Sequence, residues 1–150
     1  MLRFSTALRN AIASNYGLGM VMNKGVIRLY DATIPANPDL APTGNLLGAI
    51  TNNGVVYVPG NNKDAAGLRV TLVSPGMLQK DGVWRLVGSR IGTAAWFRWY
   101  SSQVDDYGSN TNFLRIDGEV GTDLFLATPQ ITTFTSVEVS TFIMQLNTSN

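Results

Sequence analysis

A chain of 150 residues with neither cysteine nor histidine is closed to most catalytic and metal chemistry before any pattern is read. It offers no thiolate, no disulfide framework, no Cys-based zinc or iron–sulfur site, and no imidazole base or ligand. Eleven basic against ten acidic residues leave a net charge of +1, no electrostatic footprint for nucleic acid, and a charged fraction of only 14 %.

The chain opens with a helical pattern. Ser5 is a suitable N-cap, Leu8, Ala11 and Ile12 share one face with Tyr16 a turn on, and Gly17 suits a left-handed C-terminal position. Residues 20–22 read as a second short helical turn, completing an N-terminal helical segment over residues 1–22. From Gly25 the pattern becomes short β segments divided by Gly, Pro, Asn and Asp, a β core over residues 25–146. Residues 26–30 form its first strand, and a loop with three prolines, Pro35, Pro38 and Pro42, follows. Residues 46–51 and 55–58 read as a hairpin across Asn52-Asn53-Gly54, where Asn-Gly favours a type I′ turn. Residues 68–73 are a strand, and 77–79 pairs with 83–87 across Lys80-Asp81-Gly82. Residues 93–100, with two tryptophans, Phe97 and Tyr100, are the strongest strand and belong at the centre of a sheet. A polar loop over 101–112 precedes a pair formed by 113–120 and 123–127, and 136–146 closes the chain as one strand. Strands at this spacing, without alternating helices, predict one mostly-β domain over residues 1–150. The expected form is an antiparallel β-sandwich, jelly-roll or Ig-like, with a short N-terminal α-helix.

Five strands each place an arginine among apolar residues: Arg28, Arg69, Arg85, Arg98 and Arg115. One reading is a solvent face of cross-strand ion pairs with Asp117, Glu119 and Glu138 as partners. The other is a self-association surface, where Arg is enriched. Trp84, Trp96 or Trp99 could stack a sugar, although alternation sends Trp96 and Trp99 to opposite faces and favours core packing. Asp117 and Glu119 share a strand face, but two carboxylates ~7 Å apart on an open surface read as a solvated acidic face. Asp105, Asp106, Asn110 and Asn112 hold oxygen ligands for Ca²⁺ without the spacing of an EF-hand loop. No catalytic residue, cofactor or metal ligand is assigned, and the chain is expected not to be an enzyme. It has no run of ~18 apolar residues to span a bilayer. Its start lacks a signal-peptide core, which implies synthesis in a cytoplasm.

Several pieces carry a resemblance. A Leu-Arg-Asn-Ala helix precedes the strand from Gly25 to Tyr30, and a Pro-Ala-x-Pro-Asp loop runs to Thr43-Gly44-Asn45-Leu46-Leu47. Later come Gly92-Thr93-Ala94-Ala95-Trp96-Phe97-Arg98, a Leu114-to-Thr122 segment and a Thr-rich closing strand. This order resembles small virion structural proteins of tailed bacteriophages. The resemblance implies a subunit added to a capsid or tail, most concretely a decoration or cement protein, with a neck, tail-tube or tail-tip component as the alternative. The implied partners are further copies of the chain and other virion proteins, with neither nucleic acid nor membrane, in a virion made in the bacterial host cytoplasm. A carbohydrate-binding or adhesion module is the reading from another class. The expected contact residues are Leu8 and Ile12 of the helix, Pro35, Pro38 and Pro42 of the loop, and Arg28, Arg69, Arg85 and Arg115 of the strands.

Overall fold

The computed structural model describes residues 1–146. A two-residue strand, β1 (Arg3–Phe4), leads into α1 (Thr6–Ala13), capped as its sequence demands: Ser5 Oγ accepts from the Leu8 N–H at 3.2 Å. The same hydroxyl donates to the Phe113 carbonyl and accepts from the Arg115 N–H, so one serine both starts the helix and fastens it to the sheet. The left-handed residue that ends the helix is Asn15, at φ 72°, rather than Gly17. Gly17 is extended and precedes α2 (Leu18–Met22), whose Leu18 and Met22 are buried.

The β core begins with β2 (Val26–Tyr30) and β3 (Leu46–Asn52), and a single helical turn, α3 (Lys63–Ala66), sits in the polar loop beyond them. Then come β4 (Arg69–Ser74), β5 (Met77–Asp81), β6 (Trp84–Gly88), β7 (Gly92–Thr93) and β8 (Trp96–Tyr100). β9 (Arg115–Glu119), β10 (Gln130–Ile131), β11 (Ser136–Glu138) and β12 (Ile143–Gln145) complete the series. All their ladders are antiparallel, so the chain is the mostly-β, antiparallel protein with a short N-terminal helix that the sequence predicts. One sheet has the order β1-β9-β8-β2-β3-β6-β11, a second β12-β5-β4, and β10 pairs with β7 alone. β8 holds the central place its aromatic content implied, between β2 and β9, with all five residues buried. Ile27, Leu29, Phe97, Trp99 and Ile116 of the large sheet share one hydrophobic cluster with Val70, Leu78 and Met144 of the three-stranded sheet. At its centre Phe142 has Trp84, Trp99 and Phe97 around it, with ring centroids 5.0, 5.7 and 6.4 Å away. Such pairs contribute about 0.5–1.5 kcal/mol each beyond simple area burial.

Strand partners differ from the expected hairpins in four places. Asn53 and Gly54 do adopt the φ > 0 pair of a type I′ turn, at 55° and 74°. Residues 55–58 nevertheless form no strand. The β3 edge they would occupy is taken by β6, while the Asn62 side chain bonds the Val56 carbonyl and Val58 N–H and holds the segment as a loop. Gly82 does not close a β5–β6 hairpin either; the chain crosses there from the small sheet to the large one. Trp84 Nε1 staples that corner, donating to the Arg69 and Asp81 carbonyls at 3.2 Å each. The hairpin in this region is β4–β5, across Pro75-Gly76 with Gly76 at φ 72°. Residues 123–127 form no strand; they fold back on the end of β9 through the Val120–Leu124 bridge and hydrogen bonds between Glu119 and residues 123 and 124. Finally, 136–146 is two strands in different sheets, β11 and β12, with Val139 and Phe142 buried between them.

Candidate interaction surface

Side-chain alternation gives the large sheet a second face, opposite the hydrophobic cluster. It carries Arg28 and Tyr30 from β2, Trp96, Arg98 and Tyr100 from β8, and Arg115 and Asp117 from β9. A solvated arginine face is expected there, but Arg98, Arg115 and Asp117 are each 0 % exposed. The roof is made by the Pro-rich loop and the loop over 101–112. Arg98 Nη1 donates to the Leu40 carbonyl at 2.7 Å, Arg115 Nη1 to the carbonyls of Pro38 and Gly108, and Arg3 Nη1 to that of Pro35. Trp96 Nε1 donates to the Asp31 carbonyl, and the two loops join where the Asn110 N–H meets the Asp39 carbonyl at 2.7 Å. The chemistry is complementary: prolines contribute carbonyls without N–H groups, and guanidinium groups are all donor.

Charge under this roof is paired. Arg98 Nε and Nη2 reach the two Asp117 oxygens at 2.6 and 2.7 Å, a bidentate pair with both side chains inaccessible. Burial opposes the Arg98 charge, but the bonded Asp117 carboxylate prevails and holds the guanidinium pKa above its ordinary value. Arg115 Nε meets Asp105 Oδ2 at 2.7 Å, and its Nη2 bonds Asp105 Oδ1. The Tyr30 and Tyr100 hydroxyls lie 2.9 Å apart, and burial pushes both phenol pKa values up, keeping them neutral. Arg28 stacks over the Tyr107 ring at 4.1 Å and donates to a hydroxyl of that same tyrosine.

These placements revise the expected contact set. Leu8, Pro35, Pro38 and Arg115 are buried in the chain's own fold, and Ile12 and Pro42 are half-buried. Leu8 of the helix and Pro35 and Pro38 of the loop therefore pack inside the chain's own fold. Arg69 is exposed on β4, Arg85 is half-buried on β6, and Arg28 is half-buried beside Tyr107. Asp117 is no part of a solvated acidic face, since Arg98 occupies both of its oxygens. In the 105–112 loop the Asp105 carboxylate is engaged by Arg115 and the Tyr107 N–H, and Asp106 by the Gly108 N–H and Asn110. The cation these carboxylates meet within the fold is the Arg115 guanidinium, and among the described residues no group of three or more Asp, Glu, His or Cys side chains is placed to hold a metal. Trp84, Trp96 and Trp99 are fully buried, so none is a sugar-stacking platform.

The part of the second face over β3 and β6 is not roofed in this way. There Val26, Arg28, Ala49, Val55, Val56 and Val87 line a hollow of about 250 Å³. Val56 is 77 % exposed, and Leu46, Val55 and Val87 also reach solvent. The sequence pattern placed Val55 and Val56 in a paired strand, and so hid them as surface. Further apolar side chains stand out elsewhere, among them Ile91, Leu72, Met20 and Phe125, and Phe134 is 94 % exposed. Phe134 sits on a turn pinned by the Thr132 N–H to Thr135 Oγ1 and the Phe134 N–H to Thr132 Oγ1. No known protein family, curated protein or solved structure matches the chain.

Proposed function

We propose that the chain is a structural subunit of a tailed-phage virion that works through protein–protein contact and not by catalysis. The specific role is that of a capsid decoration or cement subunit, with the neck or tail as the alternative location. The observation that carries the assembly reading is the pairing of a tightly braced fold with apolar side chains held outside it, above all Phe134 and Val56. Exposed apolar groups of this size on a weakly charged surface are the compositional mark of contact surfaces. A rigid mount such as the Thr132–Thr135 turn suits an anchoring side chain, because little entropy is lost when it is covered. The phage assignment itself rests on the sequence pieces around residues 25–47 and 92–122.

The test is location. Particles of the phage that encodes the chain, purified through a density gradient, are expected to contain it at a fixed copy number, and antibody labelling should place it on the shell. Labelling confined to the neck or tail selects the alternative location. Absence from purified particles overturns the proposal.

A further inference from the structure

Resting on that assembly reading, we infer that the hollow over β3 and β6 is the docking site for a partner-protein segment that carries a carboxylate beside an apolar side chain. Two features of the lining point to this occupant. The first is shape and polarity: Val26, Ala49, Val55, Val56 and Val87 line a hollow of about 250 Å³, room for one aliphatic or aromatic side chain. The second is charge. Arg28 also lines the hollow. It is half-buried, its one hydrogen bond is to the Tyr107 hydroxyl at 3.1 Å, and among the described residues no carboxylate lies within ion-pair distance of it.

Arg28, the arginine that lines the hollow, differs from Arg98 and Arg115 on the roofed part of this face. Arg98 and Arg115 are each closed by a bidentate aspartate and by loop carbonyls. Arg28 keeps most of its donors and rests on aromatic faces, 4.1 Å above Tyr107 and 5.7 Å from the centroid of Tyr100. A planar guanidinium already oriented by stacking, with donors to spare beside apolar walls, is complementary to a carboxylate arriving with an apolar neighbour. A purely apolar segment would leave the guanidinium desolvated and unpaired, and a basic one would be repelled.

The experiment uses full-length variants and particles produced without the chain, to which purified protein is added back before gradient sedimentation. Val56→Asp places a negative charge on an exposed wall of the hollow, at no cost in packing. It is expected to lower particle-bound protein at least tenfold at a concentration where the wild type saturates. Arg28→Met should do the same, while Arg28→Lys, which keeps the charge, should retain intermediate binding. Each variant's fold is checked by circular dichroism and thermal unfolding. Wild-type binding together with full binding of Val56→Asp and Arg28→Met overturns the docking site and leaves the structural role standing. Equal loss in Arg28→Lys and Arg28→Met overturns the carboxylate, since packing on Tyr107 would then be what matters. Failure of the wild type itself to bind overturns the structural role, and the docking site with it.

Discussion

Replacing Asp117 by Asn tests whether the roofed face is held by charge. The substitution keeps the shape of the side chain and removes the negative charge that faces Arg98. Two charge-assisted hydrogen bonds, at 2.6 and 2.7 Å, are at stake in a site with no solvent access. Removing one partner of a buried pair costs about 3–5 kcal/mol, because the surviving charge stays buried and uncompensated. The amide oxygen still accepts one hydrogen bond, which places the expected loss near ~3 kcal/mol. For a chain of this size that corresponds to a fall in Tm of about 6–12 °C, at roughly 2–4 °C per kcal/mol. Urea unfolding followed by tryptophan fluorescence measures it directly, since all three tryptophans are buried. The double variant Arg98→Met, Asp117→Leu removes both charges. Its remaining penalty is mainly the Leu40 carbonyl that Arg98 satisfies, about 1–3 kcal/mol. It should therefore be less destabilised than the sum of its single variants by at least ~2 kcal/mol. A loss below ~1 kcal/mol in Asp117→Asn, or additive single variants, refutes the reasoning.

Four other outcomes are expected. Phe142→Ala empties the centre of the aromatic cluster and should lower unfolding free energy by about 3–5 kcal/mol in the same titration. Gly25→Ala would set a Cβ 2.0 Å from the Tyr100 carbonyl oxygen, a backbone atom with no freedom to yield; the loss should reach or pass the ~1–3 kcal/mol typical of overpacking, read as a fall in Tm. Ser5→Ala removes the helix cap and two further hydrogen bonds, so a loss of about 2–3 kcal/mol is expected, with faster amide exchange in α1. The Asn45 N–H, and then its side chain, hold the Asp31 carboxyl below the usual carboxylate value. A depressed folded pKa gives stability that is complete above the unfolded value, about 3.9, and is lost as pH falls through the folded one. Asp31→Asn should therefore lose less stability than the wild type between about pH 5 and pH 2.

Local chemistry proved legible where a few adjacent residues decide the outcome. Ser5 caps, Asn53-Gly54 turns, and the aromatic run of β8 sits at the centre of a sheet. Pairing was not legible, because it is a competition between distant segments for one edge. Residues 55–58 follow a correct hairpin turn and still lose β3 to β6, which gains burial of Trp84 and Leu86 while the valines of 55–58 stay exposed. The corner at Gly82 likewise depends on an indole N–H reaching the Arg69 carbonyl, a contact no spacing rule encodes.

The arginines show the same limit at the candidate site. Four of the five share one face of the large sheet while Arg69 stands on the three-stranded sheet, yet a face is solvated only if nothing covers it. The overlooked signal lay on the face itself, where Tyr30, Trp96 and Tyr100 alternate with Arg28 and Arg98, too much aromatic surface to leave wet. The loop with three prolines offered the matching half, carbonyl acceptors with few competing donors of their own. Together these place Arg98, Arg115, Asp105 and Asp117 inside the protein. A chain with few charges thus withdraws four of them from its surface, and leaves Val56, Ile91 and Phe134 outside. Because the buried pairs are internally neutral, the withdrawal leaves net charge unchanged and makes the exterior more apolar. On the proposed assembly reading such an exterior meets another protein, and on the unroofed part of the face Arg28 lines the hollow with donors left to direct that contact.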